Sequence, residues 1–298
     1  MQINTNEICV MKHIYMIIAH QEFPVLESLI EMLDFKNNDI VLHLDKKVEY
    51  SIKYHPKYSN LYLVPDNNRI DVRWGDCTQI WSELALYNEA YRHGPYDYYH
   101  LISGIDLPIK KQNYIHKFFE EHKGKIFLGL MPNAWRTQTK IGYYHLFTKN
   151  LRSKNFSAKC EQALHWIITQ IQKAFKIKRS TKEFPFLVKG ANWCSLPQDA
   201  VEYILSKENF IRQRFKYTYA ADEVYKASIL YNSHFRERFY NIEDEYKGCM
   251  RLVDFKRGNP YEWQIEDWNE IVASDKLIAR KFTTKNMDLI NKIKAHVI

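Results

Sequence analysis

Apolar residues in this chain fall into short unbroken runs that alternate with stripes of helical period. His13 to His20 (HIYMIIAH) is nearly continuous, as a strand covered on both faces must be. Pro24 then suits a first helical turn, and Leu26, Leu29, Ile30 and Leu33 recur at helical spacing. Ile40 to Asp45 (IVLHLD) predicts a second buried strand ending on a carboxylate, with Lys46 and Lys47 beyond it, and Leu61 to Val64 a third. Ile80, Trp81, Leu84, Tyr87 and Tyr91 share one face of a helix that Gly94 ends. Tyr98 to Ser103 is aromatic and aliphatic enough for a core strand, and Ser103-Gly104 breaks it at a turn. Asp106 follows at once, with Pro108 stiffening the exit. It either closes a local turn or serves a ligand, because open α/β sheets bind at the carboxyl ends of their strands. A helix from Gln112 to His122 stops at Gly124, and Lys125 to Leu130 predicts a further strand.

The second half continues the alternation. Leu187 to Leu196 (LVKGANWCSL) leads into a helix from near Pro197 through Val201 and Ile204. Asp222 and Glu223 open another, where the helix dipole favours acids; an N-terminal cap is the ordinary reading, and either residue is also a candidate base. Met250 to Phe255 carries Arg251, Ile278 to Phe282 carries Lys281, and a last helix carries Ile290, Ile293 and Val297. The class this predicts is α/β, with a mostly parallel central sheet flanked by helices. No glycine-rich turn follows an early strand, which argues against a P-loop or a GxGxxG dinucleotide site.

Composition narrows the picture. With 298 residues, 46% of them hydrophobic, and only 9 Gly and 9 Pro, the chain reads as globular with little linker material. We expect one domain over residues 11–298, preceded by a short extension at 1–10. No apolar run approaches the ~20 residues that span a bilayer, and no basic region followed by a hydrophobic one marks the N-terminus, so the expectation is a cytoplasmic protein. The five cysteines are scattered and form no CxxC pair, which supports neither a zinc site nor a disulfide framework.

Charge singles out one segment. Residues 140–182 hold ten Lys or Arg against one acid, Glu161, whereas the whole chain has 43 basic and 35 acidic residues. The surplus therefore lies there. Leu164, Ile167, Ile168, Ile171 and Phe175 form an apolar stripe with basic residues at its end. A core-packed helix with a solvated basic end is the plainer expectation; an interfacial helix, with Lys173, Lys176, Lys178 and Arg179 toward anionic headgroups at the inner membrane face, is the other. Nucleic acid is not expected, since the aromatics sit in strand and helix patterns and are not interleaved with these lysines.

Six segments, VRWGDCTQIWSELALYNEA, YYHLISGIDLPIK, KGANWCSLPQDAVEYIL, AADEVYKASIL, MRLVDF and SDKLIARKF, occur in the order in which similar segments occur in the core-2/I-branching β-1,6-N-acetylglucosaminyltransferase family, which includes peptide O-xylosyltransferases. The resemblance spans about Ile14 to Phe282. It implies a GT-A fold, a UDP-sugar donor and inversion by one direct displacement, with no cofactor and no metal. In keeping with that, IVLHLD is followed by Lys-Lys and not by the second acid of an Asp-x-Asp site.

On this resemblance Glu223 is the catalytic base toward the acceptor hydroxyl, with Asp222 beside the substrate. Arg251 and Lys281 are the cations that meet the departing diphosphate. His20 and Asp45 fall at uridine-contacting positions, Asp106 orients the sugar or braces the site, and Trp193 is a wall for the acceptor sugar or a core residue. The animal members are lumenal, anchored and disulfide-bonded, so a bacterial-type enzyme with a glycan or lipid-linked glycan acceptor fits better, its basic insertion at 140–182 setting acceptor choice. Two rivals stay open: a metal-dependent transferase using Asp222 or the acids at Glu243 to Glu245, and a non-catalytic glycan-binding module.

Overall fold

A computed structural model describes residues 11–131 and 134–298; the expected extension at 1–10 lies outside the described residues. The strands, in chain order, are β1 (His13–Ala19), β2 (Asn38–Leu44), β3 (Asn60–Leu63), β4 (Tyr98–Ser103), β5 (Asp106–Pro108), β6 (Leu130–Met131), β7 (Lys189–Gly190), β8 (Cys194–Pro197), β9 (Arg251–Val253) and β10 (Ile278–Arg280). The helices are α1 (Phe23–Leu33), α2 (Thr78–His93), α3 (Gln112–Glu121), α4 (Ala134–Ile141), α5 (Phe156–Ala174), α6 (Gln198–Ser206), α7 (Glu208–Phe215), α8 (Tyr225–Tyr231), α9 (Glu245–Cys249), α10 (Trp268–Ala273) and α11 (Met287–Val297).

The main sheet has the order β3-β2-β1-β4-β8, parallel except for β8, which runs against β4. Its buried runs alternate faces, as strand geometry requires. Ile14, Met16, Val41, Tyr99 and Leu101 point to the layer packed by α2, α6 and α8, whereas Tyr15, Ile17, Leu42 and Ile102 point to the layer of α1, α3 and α11. The mixed α/β class, with a mostly parallel sheet covered on both faces, is the expected one. Because β1 leads to β2 on one side while β4 returns on the other, the strand order reverses at β1/β4. A ligand crevice belongs at the carboxyl ends of those strands. Gly104 closes the turn there, where a Cβ would lie 2.8 Å from that of Ala19.

Asp106, just past the turn at Gly104, begins β5, which pairs antiparallel with β10, itself parallel to β9. Three expectations need correction. The strand expected over Lys125 to Leu130 is reduced to single bridges at Ile126 and Phe127 followed by the two-residue β6. The chain is pressed against α9 there, since a Cβ on Gly129 would meet the Glu245 carbonyl oxygen at 2.1 Å. Asp222 and Glu223 lie on a single 3-10 turn, Ala221–Glu223, ahead of α8 and not inside its first turn. Finally, the stripe on α5 is not core-packed. Leu164, Ile167, Ile171 and Phe175 are exposed, and only Ala158 and Gln172 of that helix are buried. Among the described residues, no helix is long and apolar enough to cross a membrane.

Candidate active site

Four predicted site residues meet at the carboxyl ends of β1, β2 and β4. Asp45 leaves β2 buried, 4% exposed, and its backbone N–H donates to the Ala19 carbonyl at 2.9 Å, which ties it to the end of β1 beside His20. The Asp45 carboxylate accepts from the Lys47 backbone N–H at 2.9 Å and from Lys47 Nζ at 2.8 Å. Lys47 also reaches Asp71. His20 is exposed at the rim; its pKa is lowered, first by desolvation and then by the Lys47 and Arg280 charges, against the pull of Asp45.

Asp106 is 1% exposed. It accepts from the Ser103 backbone N–H at 2.8 Å, from Ser103 Oγ at 2.8 Å and from Arg280 Nη1 at 2.7 Å. Arg280 also donates to Ser103 Oγ and lays its guanidinium 4.7 Å from the centre of the Trp193 ring. Asp106 thus braces a cation at the switch point. Trp193 is half-buried, with that cation over one face. Arg280 was not among the candidates, although it stands next to Lys281 in IARKF. Adjacent strand residues point to opposite faces, and the pattern does not say which of the two looks into the crevice.

Lys281 instead pairs with Glu262 at 3.4 Å. Arg251 is 2% exposed and, among the described residues, has no carboxylate beside it and no partner for Nε: Nη1 donates to the Cys249 carbonyl at 3.0 Å and Nη2 to Ser195 Oγ at 3.1 Å. Ser195 Oγ in turn meets His100 Nδ1 at 2.8 Å, and His100 Nε2 meets His13 Nδ1 at 3.1 Å. A buried arginine whose hydrogen bonds go only to neutral acceptors keeps its charge available to an anion. The structure therefore brings His20, Asp45, Asp106 and Trp193 together, with Arg251 on the sheet side through β8 and Lys281 engaged elsewhere.

The acid pair forms a second centre. Glu223 bonds to Lys140 Nζ and lies 3.0 Å from Lys189 Nζ. Burial alone would raise its pKa, but the two ammonium groups outweigh burial and hold it below the ordinary carboxylate value. Lys140 and Lys189 also line a cleft of ≈ 300 Å³ with Tyr219, His145, Thr169 and Lys173. Asp222 behaves in the opposite way. It is 7% exposed and accepts from Gln79 Nε2 at 2.9 Å, and its other oxygen has no partner among the described residues. Burial, then the charges of Glu83 and Glu223, push its pKa up to about 7. Behind both, Lys226 makes a buried ion pair with Glu83, which also accepts from Tyr225 OH at 2.6 Å; Lys226 reaches on to Asn192 Oδ1 at 2.7 Å, next to Trp193.

Of the acids at Glu243 to Glu245, Asp244 is spent capping α9 through the Lys247 N–H at 2.9 Å, and Glu245 sits near Lys189 and Glu223 with its pKa raised by burial. Among the described residues, no group of three or more His, Cys, Asp or Glu side chains is placed to hold a metal ion. Sequence reasoning missed Lys140, Lys189, Glu83 and Lys226. Lys140 entered only as one charge of the basic segment, and the others carried no local signal.

Comparison with known proteins bears on what this geometry serves. A xylosyltransferase from Ciona intestinalis is 20% identical over 301 residues, covering 94% of this chain and 33% of that protein, so the chain spans about a third of the length of the curated relative. The crystal structure of apo mouse xyloside xylosyltransferase 1 aligns over 90% of this chain and 96% of that one, at 9% identity and a TM-score of 0.37. The sequence model of the Core-2/I-Branching enzyme family matches residues 14–272, most of the chain and all but the last of the six ordered segments. The chain belongs to the core-2/I-branching enzyme family.

Proposed function

We propose that this protein is an inverting glycosyltransferase that moves a sugar, with N-acetylglucosamine as the first candidate, from a UDP-sugar to a hydroxyl of a glycan acceptor without a metal ion. The observation that carries the reading is the state of Glu223: a carboxylate kept ionised by Lys140 and Lys189 at the edge of a cleft. An inverting displacement needs such a group to take the acceptor proton while the acceptor oxygen bonds to the anomeric carbon and the bond from that carbon to the diphosphate oxygen breaks. The leaving diphosphate gains charge, and fixed cations stabilise it most where water is excluded. Arg251, buried among neutral acceptors, and Arg280, braced on Asp106, suit that task. Lys281 joins them once it leaves Glu262. His20 and Asp45 are assigned to the uridine, and Trp193 to one side of the sugar.

A xylosyl donor is the second reading, favoured by the name of the Ciona relative. The test is a thermal-shift titration with UDP, with EDTA and with Mn²⁺, followed by UDP release from UDP-GlcNAc and UDP-xylose. Stabilisation by UDP that survives EDTA and disappears in Arg251→Ala is expected, together with a loss of turnover of about 10²-fold or more in Glu223→Gln at unchanged UDP binding. A response that requires Mn²⁺ would refute the metal-free chemistry. UDP binding without release from any donor would favour the glycan-binding module.

A further inference from the structure

Helices on the surface of a globular protein turn their apolar stripe inward and their polar face to water. Helix α5 does the reverse. Its inward face is polar: Gln162 Nε2 donates to the carbonyls of Asn150 at 2.8 Å and Ser153 at 2.9 Å, His165 Nδ1 meets the Leu146 carbonyl at 2.6 Å, and Gln172 brackets the Tyr144 backbone at 2.8 and 2.9 Å. Asn150 Nδ2 adds a bond to Glu161 at 2.8 Å. At 100° per residue the opposite face holds Phe156, Leu164, Ile167, Ile171 and Phe175, all exposed, with Phe156 at 83% and Phe175 at 75%. Trp166, 62% exposed, stands at the margin beside Lys159 and Lys173, and Ile177 extends the apolar surface past the helix end between Lys176 and Lys178.

We propose that the outward face of α5 docks on an anionic bilayer surface. Charge complementarity selects this occupant. The apolar stripe is rimmed by lysines with no acid on the outer face, the composition of an interfacial helix that sinks its side chains to the acyl boundary while cations meet headgroups. Arg179 does not take part, contrary to the sequence expectation: it donates to the Tyr217 carbonyl at 3.2 Å and Thr218 Oγ1 at 3.0 Å and stacks on Tyr144 at 5.1 Å. The docking is independent of the proposed chemistry, yet Thr169 and Lys173 line the same cleft as Lys140 and Lys189, the two partners of Glu223, so a docked α5 sets that cleft beside the headgroup layer.

The experiment is co-flotation of the full chain with vesicles of phosphatidylcholine alone and with 30% phosphatidylglycerol. The wild type floats with the anionic vesicles. Ile167→Asp/Ile171→Asp and, separately, Lys173→Gln/Lys176→Gln/Lys178→Gln each lower its partitioning about tenfold or more with unchanged melting temperature. Flotation that is absent in the wild type, or that either variant leaves at the wild-type level, overturns the proposal. So does a wild type that is dimeric by light scattering, becomes monomeric in the isoleucine variant and does not float, since the stripe then belongs to a second copy of the chain.

Discussion

Glu223 and Asp222 share one turn, yet their surroundings drive the two carboxyl groups in opposite directions. Glu223 meets two ammonium groups and stays ionised; Asp222 meets a side-chain amide and two carboxylate fields, and its pKa rises to about 7. Each shift is also a statement about stability. An acid whose folded pKa is raised binds its proton more tightly when folded, so its contribution falls as pH climbs from the unfolded value near 4 through about 7. Asp222→Asn removes that dependence while keeping the Gln79 contact available. The variant should gain on wild type as pH rises from 5.5 to 7.5, read as a widening gap between urea midpoints. A gap that stays constant over this range would mean that Asp222 titrates as an ordinary exposed acid.

At the scale of elements, α2 and α8 are joined by a buried charge pair, Glu83 with Lys226, both at most 1% exposed. Such pairs add little net stability but are expensive to break on one side. Lys226→Met should cost about 3–5 kcal/mol, because Glu83 is left buried without its cation and its pKa, already raised by burial, is pushed up further, and adding Glu83→Gln should recover part of it. Denaturant titration of the three variants checks this, and a single substitution no worse than the double would sink it. Neither partner announces itself in the sequence. The strands β1, β2 and β4 were legible because a strand covered on both faces must be apolar throughout, and α2 because its period survives inspection. The facing of α5 was not legible: periodicity reveals that a stripe exists, while its direction depends on what lies beneath, here the backbone of residues 144–153 asking for hydrogen bonds. Glu223 could be singled out by its segment, but Lys140 and Lys189, which set its charge state, lie 83 and 34 positions away, and only the fold brings them in.

For the molecule as a whole, buried histidines decide behaviour in acid. His43, His116 and His145 have pKa values lowered to about 4, and those of His13 and His100 are lowered well below the ordinary value, in every case chiefly by burial. All five are at most 8% exposed, and burial holds them neutral, in His145 against the pull of the Thr139 carbonyl; His100 meets Ser195 and His13, and His116 meets Asn38. A histidine whose folded pKa is depressed gains protons on unfolding once pH drops below about 6.5, so it destabilises the fold between there and its folded pKa. Asp222, Glu83 and Glu245, whose pKa values burial raises, act with the opposite sign. The five histidines outnumber them, so the balance below about pH 6.5 is net proton uptake on unfolding, at about 1.4 kcal/mol per pH unit for each proton. Against a total stability of about 5–15 kcal/mol, the protein should lose stability steadily between about pH 6 and pH 4.5. Urea midpoints measured from pH 7.5 downward test it directly. A midpoint flat to pH 5 would show that the histidine cluster is already charged in the folded state, and the Arg251–Ser195–His100–His13 chain within the sheet would then carry charge beyond that of Arg251 and need a counter-ion.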